Sequence, residues 1–155
     1  MLAVGGGGLL AWPTRRTYKP KRPLRVFDER EFAVMAAIGA RTVGAPDADP
    51  VEIAHGADEA LSYNAPDAQK ELKQLVMLFE NALSGLLLDG HLGSFTSLAP
   101  AQQDAVLAHW RDSNLPVRRT GYTALRKLTQ AAYYANPASW PKVGYMGPPQ
   151  ISQPT

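Results

Sequence analysis

The chain has 155 residues, 45% of them hydrophobic and 19% charged, which is enough for one domain with a real core. It contains no cysteine, and this excludes disulfides, thiolate metal sites and cysteine nucleophiles. The net charge of +2 hides an asymmetry: residues 1–27 hold Arg15, Arg16, Lys19, Lys21, Arg22 and Arg25 and no acid, so the other ten bases and fourteen acids leave 28–155 at −4. The body is therefore mildly acidic and carries a basic arm.

Residues 1–12, MLAVGGGGLLAW, are apolar but too short to cross a bilayer. They look like the apolar region of a signal sequence without its basic start. Arg15-Arg16 follows this stretch, whereas a twin-arginine export motif precedes one. The expectation is that Met1 lies inside an export signal whose basic start is upstream. Pro13, Pro20 and Pro23 forbid a regular helix over residues 13–25, so 1–25 is expected to be an arm and its basic part a solvated, extended tether. A phosphate-binding arm is the alternative.

Folding starts at Asp28, which caps a helix with Glu31 reaching back and Phe27 stapled to Phe32. Phe32, Met35, Ala36 and Val43 mark its apolar face, and it ends near Gly44 with Pro46 beyond. A second start follows, with Asp49 as cap, Pro50 in the first helical position and Glu52 in the third. Ile53, Ala54, Ala57, Ala60 and Leu61 make an alanine-rich face suited to close helix approach, and Asp58-Glu59 is expected to be a solvated face. The stretch from Pro66 to Leu88 carries Leu72, Leu75, Val76, Phe79, Leu83, Leu86 and Leu87 at steps of three and four. Met77, Leu78, Ala82 and Leu88 add apolar area elsewhere, so this ~33 Å helix is expected to be the central one, surrounded by others and bent at Ser84-Gly85. Lys70, Glu71, Lys73, Glu80 and Asn81 interrupt it too often for a membrane span.

Asp89 to Ser94 reads as a turn, which Phe95 and Leu98 pin to the core. Pro100 opens a fourth helix with Val106, Leu107 and Trp110 buried, and Ser113 to Pro116 closes it. A fifth runs from about Val117 to Ala135 with Tyr122, Leu125, Leu128, Ala132 and Tyr133 inward. The fold expected is all-α: one helical domain over 26–149, with a tail at 150–155. His55, His91 and His109 are far apart in sequence, and each reads as a surface or internally satisfied residue rather than a ligand. There is no HExxH and no phosphate-cradling loop, and Gly5 to Gly8 lack the strand and downstream acid of a dinucleotide site. No nucleophile, base and orienting group assemble, which points to a chain that is not catalytic by itself.

From Tyr133 the composition changes to YYANPASWPKVGYMGPPQISQPT. This proline-rich strip is expected to lie extended, anchored by Tyr133, Tyr134, Trp140 and Tyr145. Two destinations are open: the chain's own bundle, or a partner, since Tyr and Trp are enriched at interface hot spots.

Several pieces in this order resemble the gluconate 2-dehydrogenase subunit 3 family over about 26–149. They are the helix start Phe27 to Phe32, the loop Ala45 to Ala48, and the run Phe95 to Gln103. The strongest are Tyr133-Tyr134-Ala135-Asn136-Pro137, Trp140 and Gly144-Tyr145-Met146-Gly147-Pro148. The resemblance implies a small subunit with no cofactor or metal of its own. Its partner would be a large FAD-containing dehydrogenase subunit of the glucose-methanol-choline type, with a cytochrome c subunit carrying haem c as a further member. The large subunit would oxidise a sugar, sugar acid or alcohol. The small one would help it fold and be exported, at the periplasmic face of the inner membrane, with no nucleic acid partner and no transmembrane span. Tyr133, Tyr134, Asn136, Pro137, Trp140, Gly144, Tyr145, Gly147 and Pro148 are the expected partner-binding residues. A free-standing helical scaffold or chaperone, and a nucleic-acid binder using the basic arm, are the alternatives.

Overall fold

The computed structural model describes residues 18–81 and 94–149. It is all-α: helices α1 (Glu29–Thr42), α2 (Pro50–Ser62), α3 (Pro66–Glu80), α4 (Pro100–Arg111) and α5 (Pro116–Ala135), with short 3-10 segments at Phe95–Ser97 and Pro137–Val143. Among the described residues there is no strand, and no helix is long and apolar enough to cross a membrane.

The start signals act as the residues predict. The Asp28 carboxylate accepts from the Glu31 N–H, and Glu31 accepts from the Asp28 N–H, both at 2.8 Å. This satisfies two of the donors a helix start leaves open, and Phe27 and Phe32 are both buried beside it. Asp49 accepts from the Val51 N–H at 2.8 Å, and proline stands at the start of α2, α3, α4 and α5, where its missing N–H costs nothing.

The centre of the bundle is α1, not the Pro66–Leu88 stretch. From Phe32 to Gly39 every residue of α1 except Ala33 is buried, and α1 meets all four other helices and the Phe95 turn. By contrast α3 buries Val76, Phe79 and Glu80, while Leu72 and Leu75 are half-buried and Leu78 is exposed. Asp67, Lys70 and Glu71 are exposed and leave it one apolar face, which places it at the edge. The expected continuation through Leu83, Leu86 and Leu87, and the bend at Ser84-Gly85, lie outside the described residues. Phe79 stacks on Trp110 of α4 with ring centroids 4.0 Å apart and meets Phe95 edge-on at 5.9 Å, so α3, α4 and the Phe95 turn close one end of the core. Val106, Leu107 and Trp110 are buried as the pattern on α4 predicts.

The broadest helix contact is between α2 and α5. A Cβ added at Gly56 would lie 3.0 Å from the Ala132 Cβ and 3.3 Å from its carbonyl oxygen, so small residues bring the two backbones together as the alanine-rich face predicts. Ala60, assigned to that face, is exposed instead.

Two further expectations are corrected by the segment preceding α1. Residues 18–27 are not a solvated tether but a strap along α2. The Lys21 N–H donates to His55 Nε2 at 3.0 Å, and Tyr18, Leu24 and Val26 pack on the core. Asp58, far from being solvated, is 2% exposed. Its carboxylate accepts the N–H groups of Arg25, Val26 and Phe27 at 2.7, 3.0 and 2.8 Å. A chain entering a helix without regular structure must place its backbone donors somewhere, and one buried carboxylate takes three. Around it Lys21 pairs with Asp49, Arg22 with Glu52 and Arg25 with Glu59. These exposed pairs add little stability, but they engage three of the arm's cations within the fold; Arg15 and Arg16, with the rest of the expected arm over residues 1–17, lie outside the described residues. The other edge is tied by Lys73, which pairs with buried Glu31 at 3.2 Å and donates to the Val26 carbonyl at 3.0 Å.

Candidate functional site

The expected partner-binding residues all fall at the end of α5 and in the turn beyond it. They do not form an extended strip. Ala132 and Tyr133 continue the buried stripe of Leu125 and Thr129, so α5 runs to Ala135. Asn136 then ends it and starts the next turn, its side chain accepting from the Ala138 N–H at 3.0 Å. The Asn136 carbonyl takes the Ser139 N–H at 2.9 Å and the Ser139 hydroxyl at 2.8 Å. Pro137 occupies the first position of the 3-10 segment. Seven residues hold this tight helix despite Pro141, because its capping bonds come from Asn136 at one end and Gly144 at the other.

The turn back requires glycine. Gly144 has φ +71° and Gly147 φ +98°, values that a side chain disfavours. The Gly144 N–H donates to the Pro141 carbonyl and the Tyr145 N–H to the Trp140 carbonyl at 3.0 Å. Residues 137–148 thus form a hook with Trp140 in its bend. The indole N–H donates to the Tyr134 carbonyl at 2.9 Å, satisfying an acceptor freed at the helix end. Its ring meets Tyr145 edge-on at 5.2 Å, and a Cβ on Gly147 would come within 3.3 Å of the indole. Lys142 pairs with Asp47 and ties the hook to the Ala45–Ala48 loop. That pairing raises the pKa of Lys142 and lowers that of Asp47, in both cases mainly through the direct hydrogen bond.

The nine expected residues therefore divide. Tyr133 is buried in the core, and Asn136, Gly144 and Gly147 shape the backbone. Trp140 is half-buried and holds the hook closed, while Pro137 and Pro148 are exposed. Tyr134 is 52% exposed and Tyr145 47%. The sequence reading missed Val143, at 52%, and Met146, at 98%; proline and glycine on either side were the only signal that these side chains have no core to enter. A shallow groove of about 420 Å³ lies between the 43–47 loop, Tyr133, Tyr134 and Lys142-Val143. The surface can offer apolar and aromatic area on a prearranged frame, a chemistry that suits a protein contact.

Among the histidines, His55 is buried and satisfied by the strap, with its ring 4.7 Å from that of Phe32. His109 is exposed on α4, and His91 lies outside the described residues. Among the described residues no three His, Cys, Asp or Glu side chains are gathered so as to hold a metal ion. A second cleft of about 600 Å³ opens between Tyr18, the 43–46 loop and residues 96–100. Its guanidinium, on Arg41, is held by Asp104 through two hydrogen bonds of 2.7 and 2.5 Å.

No curated protein and no solved structure matches the chain. Over residues 29–147, a span that takes in all five helices and almost the whole hook, it matches the family described as gluconate 2-dehydrogenase subunit 3, and it belongs to that family.

Proposed function

We propose that this chain is the non-catalytic small subunit of a flavin-dependent dehydrogenase complex that oxidises a sugar, sugar acid or alcohol. In this reading the FAD sits in a large subunit of the glucose-methanol-choline type, and electrons pass on to a cytochrome c subunit carrying haem c. The small subunit supports folding of the large one and travels with it to the periplasmic face of the inner membrane. The hook is its main contact.

The observation that carries the reading is the exposed set Tyr134, Val143, Tyr145 and Met146 on a frame already fixed by Trp140, Gly144 and Gly147. Prearranged aromatic area costs little entropy on binding, and membership of a family of dehydrogenase subunits supplies the kind of partner.

Co-expression with a large FAD-dependent dehydrogenase subunit from the same genome tests it. A stoichiometric complex with FAD on the large chain is expected. Tyr145→Ala and Met146→Ala should weaken assembly by ~10-fold or more, given that truncating an interface anchor can cost ~2 kcal/mol, and should leave the free subunit's melting temperature nearly unchanged. Trp140→Ala should lower both quantities, because it also opens the hook. Flavin bound to this chain alone, or assembly indifferent to Tyr145 and Met146, would overturn the proposal.

A further inference from the structure

Outside α5 most described cations meet acids: Lys21, Arg22, Arg25, Arg41, Lys73, Arg111 and Lys142 each form an ion pair, while Lys19, Arg30 and Lys70 stand singly. Helix α5 departs from this pattern. It carries Arg118, Arg119, Arg126 and Lys127 and no acid in its whole length, and among the described residues none of the four is paired with a carboxylate. Arg118 turns inward. Arg119, Arg126 and Lys127 are exposed, and their spacing of seven and eight places them along one side of the helix. Tyr134, seven residues beyond Lys127, continues the row, and its carbonyl holds the indole of Trp140 at 2.9 Å. The row and the hook are therefore one continuous face, basic along the helix and aromatic at its end.

We infer that this basic row of α5 is a second part of the docking surface and receives an acidic, carboxylate-bearing face of the large protein subunit. The inference rests on the proposed function and names the chemistry of its partner beside the hook. Exposed residues between the cations are Thr120, Thr123, Ala124 and Ala131. They are small and flat; the ring between the cations, that of Tyr122, packs against the core rather than standing free for a base, and the exposed Leu115 and Val117 lie before the row at the start of the helix, not among its cations. Two arginines suit carboxylates, which their planar forks grip at two points. Arg119 already gives one N–H to the Ser113 carbonyl at 2.6 Å, but no carboxylate offsets the row's charge, and like charges so placed raise the local potential and speed the approach of an acidic surface, an effect that salt removes. The row would orient the partner and the hook would hold it.

The test uses the co-expressed complex diluted to nanomolar concentration, with the fraction dissociated measured from 50 mM to 1 M NaCl. The double variant Arg126→Glu/Lys127→Glu should raise the dissociation constant at least ~10-fold at low salt, consistent with the cost of juxtaposing like charges. The Arg126→Gln/Lys127→Gln variant should fall between it and the native chain, and all three should converge at 1 M. Melting of the free subunits checks that these exposed changes leave the fold intact. Native and charge-reversed complexes with the same dissociation constant at every salt would overturn the inference and leave the hook as the contact. Loss of binding to phosphatidylglycerol vesicles in the variant, with assembly untouched, would overturn it in favour of a lipid surface. Failure of the native chain to form any complex would sink the proposed function, and this inference with it.

Discussion

Replacing Asp58 by alanine removes the acceptor of three backbone N–H groups at once. The carboxylate is buried and lies 2.7–3.0 Å from the nitrogens of Arg25, Val26 and Phe27. A buried donor left unmet costs ~1–3 kcal/mol, and a hydrogen bond to a charged group contributes ~1.5–3 kcal/mol. The Phe27 bond is fully buried, while those of Arg25 and Val26 are only partly so, and water will meet those two donors in part. A total loss of about 3 kcal/mol follows for Asp58→Ala, or roughly 10–15 °C in melting temperature for a domain of this size. Asp58→Asn keeps one oxygen for Val26 and Phe27 but turns an amide N–H toward the Arg25 N–H, so its loss should be about half as large. Urea unfolding supplies the free energies, and amide hydrogen exchange locates them: protection should fall at Val26 and Phe27 and persist in α5. An Asp58→Ala variant within about 0.5 kcal/mol of the native chain, with the Phe27 amide still protected, would refute the reasoning.

At the other end of the core, Phe79→Ala should cost ~3–5 kcal/mol, because the ring is stacked on Trp110 and buried against Phe95. Leu75→Ala should cost clearly less, since Leu75 is half-buried, and thermal melting showing the reverse order would misplace α3. The strap should also respond to pH. Burial lowers the pKa of His55, assisted by Arg22 and Lys21 and opposed by Glu52 and Asp58, and its Nε2 must stay unprotonated to accept the Lys21 N–H. Because the folded pKa lies below the unfolded value of about 6.5, this contribution is present above pH ~6.5 and is lost as pH falls through the folded value. The stability difference between the native chain and His55→Ala should therefore shrink on acidification; a difference that grows would refute it.

How far the sequence is readable depends on whether a feature is local. The Asp28/Glu31 box, the Asp49-Pro50 start and the proline opening α4 involve residues within one helical turn, and all are where the pattern places them, whereas Pro116, read as closing α4, opens α5. The identity of the central helix is not local. Regular spacing in the stretch from Pro66 draws attention to it, yet that spacing, with charges opposite, describes a helix covered on one side. The better sign was the uncharged run Phe32–Ala40, apolar on every side. The two acids Asp58 and Glu59 look alike in sequence, but successive helical residues point about 100° apart. One is therefore buried under the strap backbone, while the other stays exposed and reaches the Arg25 side chain, and Tyr133 and Tyr134 likewise divide into buried and exposed. At the candidate interface the aromatic anchors were legible. The bent frame was not, because Gly144 and Gly147 take left-handed conformations whose need appears only once Trp140 has somewhere to sit.

The strap also sets an order in time. Phe27 and its acceptor Asp58 are 31 residues apart, and Lys21 and His55 are 34 apart, so the N-terminal segment is made well before the groups that hold it. At a synthesis rate of ~5–20 residues per second, residues 18–27 wait about 2–7 s for α2 to emerge. During that interval residues 18–27 have no partner within their own domain, and completion of α2 then supplies the acceptors that fix them.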